Sequence, residues 1–262
     1  MNSKYVLGVD AAWTYKEPSG VALLKFSPGS LPELVRAGRS YEEFCSGKID
    51  WNKPLQGSLP NFNEIFNSVT EPVDVIALDI PLSPGPITGR RRAEHLISTK
   101  YGRLGASTHT PNIDRPGDIA TTIYKQLSKL GYSWAYKYAE MPSFIEVYPH
   151  TAIIELFGYS YRFPYKVSKK ARYWPDESPK TRTKNIIQNL MELKRKLESE
   201  VSNIDHFLLN LDTNNYYSEK FVKGYEDLID SIISALVGYY YFIGKATPYG
   251  DDVGAIWVPM KC

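Results

Sequence analysis

Five carboxylates fall where carboxylates are costly. Asp10 ends the apolar run KYVLGVD, and Asp79 lies near the end of VDVIALDI. Glu146 lies inside SFIEVY. Asp227 and Asp230 sit three residues apart in EDLIDSIISALVG. Acids are depleted in strands and expensive to bury unless they are paired or bind metal. One acid at a strand end also serves to cap the following turn. Acids ending two buried strands converge on one sheet edge if those strands are neighbours. The i,i+3 spacing puts Asp227 and Asp230 on one helical face. The apolar residues around Asp230 place it close to the sheet, whereas Asp227 also suits a solvated face. Carboxylates held together repel and need a cation. An all-oxygen set selects a hard one, Mg²⁺ or Mn²⁺. Two such ions about 3.5–4 Å apart activate water and stabilise the leaving oxygen of a phosphodiester.

Basic residues form the second group. Gly89-Arg90-Arg91-Arg92 follows the strand that carries Asp79, and its arginines could grip phosphate with paired donors. An exposed loop paired with Glu94 fits the same residues. Between Lys166 and Lys196 there are ten Lys and Arg against three acids, with Lys169 and Lys170 among them. Tyr161, Phe163, Tyr165, Tyr173 and Trp174 lie nearby, a mixture able to hold nucleic acid by charge and stacking. A solvated amphipathic helix explains much of the same pattern. His150 follows Pro149 near a strand end, as a proton shuttle or an ordinary surface histidine. No phosphate-binding glycine loop and no Ser-His-Asp order is present.

The elements that must position these residues read as an α/β layout. Two strands, 4–10 and 21–26, flank a Gly/Pro/Ser-rich turn and suggest a hairpin. Residues 33–40 suit a third strand or a helix start. Helical spacing appears at 61–69, 92–99, 119–130, 151–157, 180–199 and 218–244. Buried strands are expected at 73–80 and 143–148, and a short one, GAIWV, near the end. The order places one mixed sheet between helices.

Composition limits the classes. The 262 residues carry 31 Lys+Arg and 29 Asp+Glu, a net charge of +2, which argues against coating nucleic acid by bulk charge. The two cysteines, Cys45 and Cys262, form no metal cluster and fit a reducing compartment. No segment has the length of a signal or membrane span. These features point to a cytoplasmic protein without membrane association. The chain reads as one domain over 1–262, with a basic, largely helical insertion at about 160–220.

In order, GVDAAW with SGVALL, ALDIPL, GRRRAEH, FIEVYPH and EDLIDSIISALVG resemble the domain-of-unknown-function 429 family, whose members are predicted ribonuclease H-like nucleases. The resemblance spans residues 4–258. It implies a ribonuclease H-like fold, a single five-stranded mixed sheet flanked by helices and led by three antiparallel strands. In that superfamily, acids on the first strand, the fourth strand and a late helix hold the metals. By motif these fall on Asp10, Asp79 and Asp230, and Asp227 takes the place of the extra helix acid of Holliday-junction resolvases. Glu146 matches the family's own EVYP-like signature. Two departures stand out: Ala11, Ala12 and Trp13 replace a second acid or hydroxyl after Asp10, and residues 194–225 exceed a minimal fold. The expectation is a Mg²⁺- or Mn²⁺-dependent nuclease. Asp10, Asp79, Asp230 and Glu146 would be catalytic, Asp10, Asp79, Asp227 and Asp230 would bind metal, and Arg90–Arg92, Lys169 and Lys170 would contact phosphate. The alternative is a non-catalytic nucleotide- or nucleic-acid-binding module of the same fold, which the missing second acid favours.

Overall fold

A computed structural model describes residues 3–27 and 29–260; Cys262 lies outside them. Its strands are β1 (Lys4–Asp10), β2 (Gly20–Phe26), β3 (Glu33–Gly38), β4 (Val75–Leu78), β5 (Ser133–Trp134), β6 (Ser143–Val147), β7 (Ala246–Asp251) and β8 (Gly254–Pro259). The helices are α1 (Tyr41–Ser46), α2 (Phe62–Asn67), α3 (Arg92–Tyr101), α4 (Asp118–Lys129), α5 (Pro149–Phe157), α6 (Lys170–Tyr173), α7 (Pro179–Glu198) and α8 (Glu219–Phe242).

All strands join one mixed sheet in the order β3-β2-β1-β4-β6-β8-β7, with β5 paired to the first half of β6. β1, β2 and β3 are antiparallel, while β4, β6 and β8 run parallel to β1. The sheet therefore has eight strands, not the five expected. Two of the three additions were hard to read for physical reasons. β5 is two residues long, and β7 reads ATPYGD, whose Pro and Gly are poor strand formers. β8 is the expected GAIWV run, and pairing with it makes β7 a strand.

The pleat sorts side chains onto two faces. Val6, Val75, Ala77, Ile145 and Val147 pack into a core with α5, α7 and α8. Leu7, Val9, Ile76, Leu78 and Phe144 pack on the other face with α2 and α4. α8 lies almost flush on the sheet because small residues meet it. A Cβ on Gly8 would stand 2.1 Å from Ser231 O, and one on Gly20 would stand 2.1 Å from Asp227 O. α8 is capped by Ser218, whose side chain accepts from Phe221 N. Among the described residues, no helix is long and apolar enough to cross a membrane.

Candidate metal centre

The alternation that seats Gly8 under α8 also aims Asp10. Gly8 and Asp10 share a face, and the helix residues over Gly8 are Ser231 and Ala235. One turn earlier on α8 come Asp227 and Asp230. Asp10, Asp227 and Asp230 consequently each offer a carboxylate oxygen within 4.8 Å of the others. Asp79 follows β4 directly, and its N–H donates to Val9 O at 2.8 Å, so it stands beside the end of β1. Its parity matches Val75 and Ala77, the α8 face.

Two ammonium groups enter this cluster. Lys166 contacts Asp230 Oδ2 and lies 3.4 Å from Glu226 Oε1. Lys223 contacts Asp227 Oδ1 and donates to Glu226 Oε1 at 3.1 Å. Tyr165 OH donates to Asp230 Oδ1 at 2.6 Å, and Val167 N donates to Glu226 Oε2 at 2.6 Å. Five carboxylates thus face two lysines, a surplus of three acids at a largely buried place.

The titration behaviour follows first from burial and then from that imbalance. Burial above all, with the Asp227 charge adding to it, pushes the Asp10 carboxyl up to about 7 against the pull of Lys166. Burial raises Asp230 to about 7 and Asp227 to about 6, each partly offset by its lysine. Burial and the Asp10 charge raise Asp79 well above the usual carboxylate range. Burial also acts on Glu226, but Lys166, Lys223 and the Val167 N–H together hold it below its ordinary value. A divalent cation would relieve the repulsion among the first four. The donor set is oxygen-only, compact and over-charged, so it fits Mg²⁺ or Mn²⁺.

Glu146 is placed elsewhere by the same pleat. It shares the face of Phe144, opposite α8. Its carboxylate receives Arg91 Nη2 at 2.6 Å on Oε1, with Arg91 Nη1 at 2.9 Å and Leu82 N at 2.8 Å on Oε2. Arg91 also pairs with Glu94, and its Nη1 donates to Leu82 O at 2.6 Å. Glu146, Arg91 and Glu94 are all buried, and they lock the loop after Asp79 onto β6 and α3.

Among the basic candidates, Arg91 is therefore engaged inside the protein. Arg90 braces α3 through Glu94 O at 2.9 Å, Ser98 Oγ at 2.6 Å and Thr110 Oγ1 at 3.0 Å. Arg92 is exposed on the first turn of α3. Lys170 pairs with Glu219 at 2.7 Å, and Lys169 is half-buried, its charge helping to hold His109 and His150 below the ordinary histidine value. His150 is buried between Tyr148 and Tyr165, not on the surface.

Sequence reading passed over Glu226 and Lys223, although a lysine three and four residues before two acids is a readable helix pairing. Lys166 and Tyr165 left no such signal, because their partner Asp230 is more than sixty residues away.

No curated protein and no solved structure matches the chain. A family model does match, over residues 8–253, and that span holds all the carboxylates above. The chain belongs to the family described as Protein of unknown function (DUF429).

Proposed function

We propose that the protein is a divalent-metal-dependent phosphodiesterase, a nuclease of the ribonuclease H-like kind. The observation that carries this reading is the convergence of Asp10, Asp227 and Asp230 within 4.8 Å, with Asp79 beside them, at the end of β1. The strand order β3-β2-β1-β4-β6, with three antiparallel strands followed by two parallel ones, supports the fold assignment. The three further strands extend that order without interrupting it.

Asp10, Asp79, Asp227 and Asp230 would hold Mg²⁺ or Mn²⁺. Bound there, the cation supplies Lewis-acid polarisation of the phosphoryl oxygens and of water. The chain's own groups fix the geometry. Tyr165 and Lys166 orient Asp230, while Lys223 and Glu226 restrain Asp227. The reaction is hydrolysis: a water oxygen bonds to phosphorus, one ester P–O bond breaks, and the departing oxygen takes a proton. Cleavage of DNA, RNA and hybrid substrates with Mg²⁺ or Mn²⁺ tests this. Asp10→Asn is expected to abolish the activity, and undiminished cleavage by that variant would sink the assignment.

A second reading has its own observation. Lys166 and Lys223 already neutralise part of the cluster, as suits a nucleotide- or nucleic-acid-binding module without catalysis. Saturable binding with no turnover in either metal would select it.

A further inference from the structure

Next to the carboxylates lies a second polar group of opposite character. Among the described residues, four buried side-chain atoms lack a well-aligned hydrogen-bond partner within the protein: Thr108 Oγ1, His150 Nδ1, Arg162 Nε and the Tyr173 hydroxyl, which the Arg162 side chain approaches. Buried polar groups in folded proteins are nearly always satisfied, so unpartnered ones call for an explanation. These four belong to one neighbourhood. Arg162 N donates to Leu104 O at 2.7 Å, and Tyr148 OH donates to Ser107 O at 3.1 Å, which joins the 104–109 segment to the start of α5 and to the 162–173 segment. The His150 ring meets Tyr148 and Tyr165 edge-on, each with centroids 5.3 Å apart. Tyr165 in turn donates to Asp230.

Every one of the four can donate a hydrogen bond. Arg162 and Lys169 place positive charge on His150, which is only 4% exposed, as does Lys166 from its pairing with Asp230. α5 opens at the same place, and its N-cap Tyr148 gives the first turn no side-chain cap, because its hydroxyl donates to Ser107 O instead. Acid charge reaches the group from the carboxylate side, from Asp79 at Tyr148 and from Glu226 at Tyr173. A cradle of donors with Arg162 and Lys169 beside it suits an oxyanion, and its border with the carboxylates suits a phosphate.

We infer that Thr108, His150, Arg162 and Tyr173, with Lys169 at the rim, form a binding site for a phosphate oxyanion adjacent to the carboxylate cluster. The site rests on the phosphodiesterase reading for its role as a substrate subsite, but not for its affinity for phosphate. Arg162 supplies the charge-assisted donor, and Tyr173, Thr108 and His150 supply neutral ones.

The test uses the full chain with EDTA, so that metals play no part. Inorganic phosphate is titrated by calorimetry and followed at the His150 imidazole by nitrogen-15 NMR. Saturable one-site binding that moves the His150 signal is expected. Arg162→Gln should weaken it about tenfold or more, the loss of a charge-assisted hydrogen bond. Tyr173→Phe removes only a hydroxyl and should weaken it a few-fold with unchanged circular dichroism. Arg195→Gln, at the far end of α7, should bind as the parent does. No saturable binding, or binding indifferent to both Arg162→Gln and Tyr173→Phe, overturns the site. Oligonucleotides with a 5′-phosphate or a 5′-hydroxyl end are then used as competitors. Competition by the phosphorylated one alone assigns a terminal monoester, and equal competition assigns an internal diester. Competition by neither overturns the subsite role. Phosphate binding without any cleavage would remove the phosphodiesterase reading and leave the anion site standing, whereas cleavage without phosphate binding would do the reverse.

Discussion

At the scale of single residues, the balance between carboxylates and ammonium groups controls the centre. Asp10, Asp227 and Asp230 have folded-state values of about 7, about 6 and about 7, above the ordinary value of 3.8. A carboxyl raised in the folded state binds its proton more tightly there than in the unfolded chain. Its stabilising contribution is complete below about pH 4 and is lost as pH rises through 6 and 7. Melting temperature in EDTA is therefore expected to fall across that window, and Mg²⁺ or Mn²⁺ should restore it at pH 8. Asp230→Asn should flatten the fall; an unchanged slope would show that the cluster does not set it. Lys223 is half exposed, so its removal acts more on metal affinity than on the fold. Lys223→Met should bind Mn²⁺ more tightly in calorimetry at a stability loss of only about 1 kcal/mol. Arg91 is the contrasting case. It separates two buried carboxylates, Glu94 and Glu146, and Arg91→Met would leave both without their cation. A loss of about 3–5 kcal/mol in urea unfolding is expected. The sequence marked Asp227 by its spacing of three residues from Asp230, and Asp10, Asp79 and Asp230 because acids in apolar surroundings are conspicuous. It marked Glu146 for the same reason, although Glu146 faces the other way. Type and spacing show that a carboxylate is buried, but only the pleat and the partner show whether it meets cations of the protein or of the solvent.

At the scale of elements, the site depends on the fit of α8 against β1 and β2. Gly8 and Gly20 give the helix its closeness, and Gly20 is also the cross-strand neighbour of Asp10. Gly8→Ala would put a methyl group into the Ser231 carbonyl, so the helix must lift. Overpacking of this kind costs about 1–3 kcal/mol. It would also separate Asp227 and Asp230 from Asp10. We expect Gly8→Ala to lose metal-dependent cleavage more completely than stability, measured by Mn²⁺ titration and thermal melting of one preparation. Gly85→Ala, where nothing lies within 4 Å, serves as the neutral comparison. If Gly8→Ala melts and cleaves like the parent, close packing is not what sets the site. The helix itself was plain from its 3.6-residue spacing, as were the buried strands from their β-branched runs. Its seating was not, because two glycines in separate strands carry no pattern that names their common partner.

At the scale of the whole molecule, the even charge count conceals a gradient along the sheet. Strands β1, β4, β6 and β8 are parallel, so their C-terminal ends share the edge that holds the carboxylates and the start of α5. The basic stretch from Lys166 begins at that edge but does not stay there. α7 has 20 residues, about 30 Å of helix. The chain beyond it reaches the start of β3, where Ser202 N donates to Pro32 O and Asn203 Nδ2 donates to Leu34 O. The start of β3 is the end of the sheet opposite Asp10, by the antiparallel registers of β1, β2 and β3. Part of the basic charge is also taken up by the protein's own acids: Lys166 by those of α8, Lys170 by Glu219, and Lys194 by Glu198 and Asp205. A sequence count of ten bases hence overstates the surface facing a substrate. Lys169 and Arg172 lie on the site's side of α7, whereas Arg195 and Lys196 are exposed near its far end. For a nucleic-acid substrate, Lys169→Gln and Arg172→Gln should each weaken binding and each lower the salt dependence by about one unit of slope. Arg195→Gln and Lys196→Gln should leave both quantities unchanged. Affinity measured across a salt series separates the cases. Equal losses from both pairs would mean that the substrate runs along α7 and that the whole basic stretch is its track.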